Sequence, residues 1–173
     1  METVKGPDSL DEKLERMVTA YQHDLLRLCY AYLHDEELAK DALQETFLKA
    51  YRSLPSFKND CTEKTWLTRI AINTCKDIRR SAWFRYIARD VTLDMLPQTA
   101  APIAQEDTTI ALAVMRLPQK LKEAALLCWY QEMNYTDAAR VLGITPQAVS
   151  SRMDRARKKL RQLLEGSDCL DAP

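Results

Sequence analysis

Apolar positions recur at helical spacing along most of this chain. Val18, Tyr21, Leu25, Leu28 and Tyr32 lie three or four residues apart and predict a first amphipathic helix. Leu38 or Ala39, Leu43, Phe47, Ala50 and Leu54 predict a second, with Asp35 placed to cap it and Pro55 to end it. A short polar loop from Ser56 to Thr62 precedes a third helix, whose apolar side carries Trp66, Leu67, Ile70, Ala71, Thr74, Cys75 and Ile78. No segment alternates with period two over a convincing length, so no sheet is expected. Residues 91 to 106, VTLDMLPQTAAPIAQE, contain two prolines and no periodicity, which predicts an extended tether. Beyond it Asp107 can cap a helix over TTIALAVMRL, Pro118 restarts the chain, and EAALLCWYQEM leads to a final helix pair. The pattern predicts an all-α protein of two small helical domains, 1–90 and 107–173, joined by a flexible linker over 91–106.

That final pair, YTDAARVLGITPQAVSSRMDRARKKLR from residue 135 to 161, reads as a helix-turn-helix. The chain has three glycines, and Gly143 falls where a helix C-terminus can use a left-handed backbone. Thr145 can cap the next helix, and Pro146 suits its first position, where a missing N–H costs nothing. Val149, Met153, Ala156 and Leu160 would form the buried stripe of this second helix. Gln147, Ser150, Ser151, Asp154, Arg155 and Lys158 would face outward, and Arg152 and Arg157 add further cations. Such a face can donate to phosphates and to base edges in a major groove. The competing reading is a solvated basic helix at the end of an ordinary bundle.

Charge sharpens this picture. The net charge of zero comes from segregation, because residues 145–164 hold six cations against Asp154 alone, and residues 64–90 hold seven against Asp77 and Asp90. Two basic segments on a neutral chain imply two contacts with a polyanion. The acidity gathers in residues 1–45, including Asp35, Glu36, Glu37, Asp41 and Glu45. Asp41, Gln44 and Glu45 stand at i, i+3 and i+4, so they share one helix face that suits a basic partner helix better than DNA. No His, nucleophile or metal-ligand set accompanies these carboxylates, so they are not read as a catalytic pair, and neither cofactor nor metal is expected.

Five cysteines without a CxxC spacing read as core or incidental thiols. No run reaches the roughly 18 apolar residues of a membrane span. The polar, acidic METVKGPDSLDEKLER is no signal peptide, which leads to the expectation of a cytoplasmic protein.

In this order and spacing, three segments resemble the extracytoplasmic-function group of the bacterial sigma-70 superfamily. DALQETFLKAY, from Asp41 to Tyr51, is similar to the segment that docks on the clamp helices of core RNA polymerase. TWLTRIAINTCKDIRR, from Thr65 to Arg80, is similar to the helix that melts and holds the −10 promoter element. Leu117-Pro118 and Ala138-Ala139 through Leu160 are similar to the −35 reader.

The resemblance implies a non-catalytic specificity subunit that binds core polymerase through Asp41, Gln44, Glu45 and Lys49. It implies that the melted −10 strand is held by Phe57, Lys58, Asn59, Asp60, Lys64, Arg69, Asn73, Lys76, Arg79 and Arg80. Trp66 is read as core in preference to a stacking platform. The −35 duplex would be read by Gln147, Ser150, Ser151, Arg152, Asp154, Arg155, Arg157 and Lys158. Promoter DNA and core polymerase are thus the implied partners, an anti-sigma factor is a further one that no residue identifies, and membrane insertion is not expected.

Two positions depart from the family pattern. Asp154 stands where relatives often carry an aromatic or basic residue, and Lys122 where many have arginine. The linker lacks the middle domain of housekeeping sigma factors, and by resemblance it would thread through the polymerase. The alternative from another class is a free-standing helix-turn-helix regulator acting on duplex DNA without polymerase, with a nucleic-acid-processing enzyme as a third reading.

Overall fold

A computed structural model describes residues 9–87 and 113–165 of the chain. The chain divides into two compact units, residues 1–95 and 96–173. The first contains α1 (Leu10–Leu33), α2 (Glu36–Ser53) and α3 (Glu63–Ile87); the second contains α4 (Gln119–Ala125), α5 (Tyr135–Leu142) and α6 (Pro146–Glu165). Among the described residues there is no strand. The expected tether at 91–106 and the expected cap Asp107 lie outside the described residues, and of the helix expected after Asp107, residues 113–115 are seen as helical.

Local chemistry fixes the helix ends of the first unit. Ser9 and Glu12 cap α1 reciprocally: the Glu12 amide donates to Ser9 Oγ at 3.2 Å, and the Ser9 amide to Glu12 Oε2 at 2.9 Å. His34 ends α1 with φ 59° and donates its N–H to the Tyr30 carbonyl at 2.8 Å. Asp35 then caps α2 by accepting from the Leu38 amide at 2.8 Å. A 3₁₀ turn, Leu54–Ser56, carries Pro55 and closes α2.

The core of this unit is a seam shared by three helices. Met17, Leu25, Leu28, Cys29 and Tyr32 enter it from α1, and Trp66, Leu67, Ala71, Ile72 and Cys75 from α3. From α2 the buried residues are Ala39, Ala42, Thr46 and Ala50. The sequence pattern had pointed to Leu43 and Phe47, which are only half-buried. The reason is steric: α2 packs against both α1 and α3, and small side chains let the helix axes approach closely. Thr46 is tolerated there because its hydroxyl donates to the Ala42 carbonyl at 2.6 Å. Cys29 and Cys75 are buried beside one another, and their hydrogen bond, with burial second, raises the Cys75 thiol pKa. They are core thiols, inert while the fold is intact.

In the second unit, the Pro118 carbonyl accepts from the Leu121 and Lys122 amides at 2.8 and 2.9 Å and starts α4. EAALLCWYQEM does not continue as one α-helix. At Leu126–Tyr130 the ladder widens into a π turn, with the Gln131 amide on the Leu126 carbonyl at 3.0 Å. Leu126 and Leu127 stay buried while Trp129 and Tyr130 are exposed. Glu132 then takes φ 56°, and Asn134 caps α5 by accepting from the Asp137 amide at 2.8 Å. Ala113, Leu117, Ala125, Ala156 and Leu160 form a second apolar cluster.

Two left-handed positions predict stability changes of opposite sign. A Cβ on Gly143, φ 67°, would meet nothing within 4 Å, so Gly143→Ala adds backbone strain alone. It should cost about 1–2 kcal/mol. Glu132→Gly removes such strain and offsets it partly by a more mobile unfolded chain, for a net gain of about 0.5–1 kcal/mol. Urea denaturation reads both; a loss of stability in Glu132→Gly would mean that the Glu132 side chain, not its backbone, stabilises the turn.

Candidate nucleic-acid interface

Burial of the small face of α2 turns the opposite arc outward. Asp41 and Gln44 are exposed there, and so are two apolar residues on the same arc, Leu48 at 51% and Tyr51 at 44%. The sequence reading missed this pair, although Leu48 follows Gln44 at i+4 and Tyr51 at i+7, the spacing of one helical face. A hydrogen bond to the Asp11 carboxylate raises the Tyr51 pKa and links the arc to the start of α1. Glu45 and Lys49 are less free than expected. Lys49 Nζ donates to Thr74 Oγ1 at 3.2 Å and lies 3.8 Å from both Glu45 Oε1 and Asp77 Oδ2, so it bridges α2 to α3.

On α3 the buried side likewise sets what faces solvent. Arg69, Asn73, Lys76 and Arg80 follow at i, i+4, i+7 and i+11 and form one stripe. Lys76 is half-buried and the other three are exposed. Asp77 beside the stripe pairs with Arg80 at 3.3 Å. Arg79 is exposed outside the stripe, and Lys64 projects from the far side of the helix, half-buried.

In the preceding loop Lys58, Asn59 and Asp60 are exposed, and Asn59 adopts φ 55°. Phe57 is spent on holding this loop. Its ring stacks on Trp66 with centroids 4.6 Å apart, and the Lys13 ammonium lies 5.4 Å from its centroid. Trp66 is buried, as expected of a core residue. Thr62 caps α3 by accepting from the Thr65 amide at 3.1 Å, and Arg16 makes a bidentate pair with Glu63 at 2.9 and 3.0 Å. With Arg16 half exposed, that pair contributes at most about 1 kcal/mol, but it fixes where the loop joins α3.

The helix-turn-helix forms as its sequence predicts. Gly143 has φ 67° and ψ 38°, and its N–H bonds to the Ala139 carbonyl. The Thr145 hydroxyl caps α6 by accepting from the Ala148 amide at 3.2 Å. Val149, Met153, Ala156 and Leu160 are buried. Gln147, Ser151, Asp154 and Lys158 form an exposed stripe with the same spacing as that of α3, flanked by exposed Arg155 and Arg157. Ser150 and Arg152 are half-buried at its margins. Arg155 Nε donates to the Ser151 carbonyl at 3.1 Å, which lays its guanidinium back along the helix. Lys122 is buried, at 7% exposure, next to the equally buried Glu123, so it is not on this open surface.

Family comparison adds to this geometry. Residues 17–96 match sigma-70 region 2, and residues 108–160 match sigma-70 region 4. The RNA polymerase sigma-H factor of Pseudomonas aeruginosa is 32% identical over 163 residues, covering 86% of this chain and 84% of that protein. The ECF RNA polymerase sigma factor SigM of Mycobacterium tuberculosis is 35% identical over 152 residues, covering 87% and 76%. The chain belongs to the extracytoplasmic-function group of the sigma-70 family. It is an RNA polymerase sigma factor, not a free-standing helix-turn-helix regulator.

The fold of this sigma factor agrees with solved relatives. The sigma factor RpoE of Bartonella quintana, seen in complex with the anti-sigma factor NepR, has a TM-score of 0.76 at 23% identity, covering 88% of this chain and 97% of that one. CnrH, seen in complex with the cytosolic domain of CnrY, has a TM-score of 0.68 at 24% identity, covering 90% of each chain. Among the described residues of this sigma factor, no helix is long and apolar enough to cross a membrane.

Proposed function

We propose that this sigma factor divides promoter recognition between its two units, with residues 1–90 serving core binding and the −10 element, 91–106 a linker, and 107–173 the −35 element. The observation that carries this reading is the pair of polar stripes on α3 and α6, each backed by a buried apolar face, the first carrying Arg69, Lys76 and Arg80 and the second carrying Lys158 with Arg155 and Arg157 beside it. On α6, Gln147, Ser151, Arg155 and Lys158 reach base edges and phosphates of the −35 duplex, with Ser150, Arg152 and Arg157 at the margins. On α3, Arg69, Lys76 and Arg80 hold the backbone of the melted −10 strand, assisted by Lys64 and Arg79, while Asn73 offers an amide to an extruded base. Lys58, Asn59 and Asp60 complete that pocket on a loop anchored by Phe57.

Core polymerase is met by the outward arc of α2. Asp41 and Gln44 give it polar complementarity to a basic helix, and Leu48 and Tyr51 supply apolar area that two charges alone would lack. Beneath that arc Lys49 lies between Glu45 on its own helix and Asp77 on α3. The protein supplies specificity and no chemistry of its own, and it works in the cytoplasm with the polymerase. RpoE was captured with the anti-sigma factor NepR, which supports an anti-sigma partner here as well.

Run-off transcription with purified core polymerase tests the whole reading: the chain should confer promoter-specific initiation, and its failure to do so would sink it. Asp41→Lys and Leu48→Asp should each weaken core binding at least tenfold in a titration, with far-ultraviolet circular dichroism unchanged because both side chains are exposed. Wild-type affinity in both variants would remove α2 from the interface.

Asn73→Ala should leave initial promoter binding within about twofold and lower open-complex formation, since an extruded base loses its partner only after unpairing. Permanganate reactivity of promoter thymines reports this directly. Normal melting would place the base pocket away from α3.

A further inference from the structure

Arg157, at the margin of the α6 stripe, is held by two side chains of its own chain. Its Nη1 donates to Asp154 Oδ1 at 2.9 Å, and its Nη2 donates to the Tyr135 hydroxyl at 3.3 Å. Tyr135 is the first residue of α5 and is half-buried, so the guanidinium is tied across the turn to the other helix of the motif. The hydrogen bond that Arg157 donates to Tyr135 comes first, and the nearby Asp154 carboxylate adds to it, in favouring the charged form of Arg157. Asp154 meanwhile sits on the exposed stripe itself, three residues before Arg157.

A carboxylate oxygen on a guanidinium N–H has the chemistry of a phosphate oxygen at the same place. We propose that Asp154 is an intramolecular counter-anion to Arg157 that the −35 phosphate backbone displaces on binding, with Tyr135 keeping the guanidinium in position through the exchange. This rests on the reading of α6 as the −35 helix. It assigns Asp154 a role different from base recognition, that of holding Arg157 through Oδ1 in the free protein.

The exposure of the pair supports exchange. The Arg157 and Asp154 side chains are 52% and 69% exposed, so solvent competes for both partners and the ion pair is weak enough to open. Tyr135 is held by Nη2 and the carboxylate by Nη1, so the Tyr135 contact is kept when a phosphate replaces the carboxylate. While the pair is closed, Arg157 contributes almost no net charge to the stripe. One carboxylate thus lowers the reader's grip on every sequence alike, and contact with a well-placed phosphate releases it.

The experiment uses full-length chain assembled with core polymerase, and a promoter fragment whose −35 element is enriched from a randomised library with the wild-type holoenzyme. Promoter-complex affinity is measured over a potassium chloride series for wild type, Asp154→Asn, Arg157→Gln and the double variant. Asp154→Asn should bind roughly fivefold more tightly near 0.15 M salt, with a salt slope steeper by less than the ~0.9 of a full phosphate contact, because Arg157 meets the phosphate in both proteins and only the displaced carboxylate is lost. Base preferences in the library should not change. In the Arg157→Gln background the same substitution should change affinity less than about twofold, because the two residues act as one unit.

An Asp154→Asn effect that persists undiminished without Arg157 overturns the proposal, since Asp154 would then repel phosphates on its own account. A changed preference at a single base pair also overturns it, in favour of direct reading. If the wild-type holoenzyme enriches no sequence and yields no specific transcript, the reading of α6 itself fails, a result visible before any variant is compared.

Discussion

The close packing of α2 against two neighbours is the constraint on which the first unit depends. Ala39, Ala42, Thr46 and Ala50 present a narrow surface, and any larger side chain at Ala42 would have to push α1 or α3 away. Once that face is buried, the rotation of α2 about its own axis is settled. Asp41, Gln44, Leu48 and Tyr51 then point to solvent together, as a mixed polar and apolar arc. The same packing orients α3, because burying Leu67, Ala71 and Cys75 leaves Arg69, Asn73 and Arg80 outside. The mixed arc on α2 and the basic stripe on α3 are two consequences of one seam.

The second unit repeats the device with different chemistry. Here the turn does the work that packing does in the first: Gly143 supplies the left-handed backbone, Thr145 caps the next helix, and α6 leaves the turn with Val149 and Met153 directed inward. The π turn and the strained Glu132 upstream deliver the chain to Asn134, where α5 begins. Among the described residues of this unit, the left-handed positions thus lie in the connections and not in the helix that carries the polar stripe.

Charge in this sigma factor is tempered locally as well as segregated globally. Asp77 lies against Lys49 and Arg80, and Asp154 against Arg157. Each of these pairs is partly or largely exposed, so each contributes little to folding and opens readily. Their effect is to organise cations in the free protein without neutralising them against a stronger competitor such as a phosphate backbone. A neutral chain can therefore present two basic surfaces and remain without a large net field.

The helices, their caps and the turn were legible from local chemistry alone. Asp35, Thr145, Gly143 and the stripe from Val149 to Leu160 act as their sequence context predicts, because a cap or an apolar period involves residues no more than a few positions apart. The choice of face on α2 was legible only in part: Ala39, Ala50 and Leu54 are buried as their spacing predicts, but closeness of approach to two other helices buries Ala42 and Thr46 in preference to the more hydrophobic Leu43 and Phe47. For the same reason the sequence could nominate Phe57, Lys49 and Arg157 for contacts with partners without showing that the fold also engages them with Trp66, Thr74 and Tyr135. Those partners lie between 9 and 25 positions away in the chain. Local order thus specified the elements and the candidate chemistry, and tertiary packing decided which of those side chains remain open to solvent, since that depends on distances between segments that no local pattern encodes.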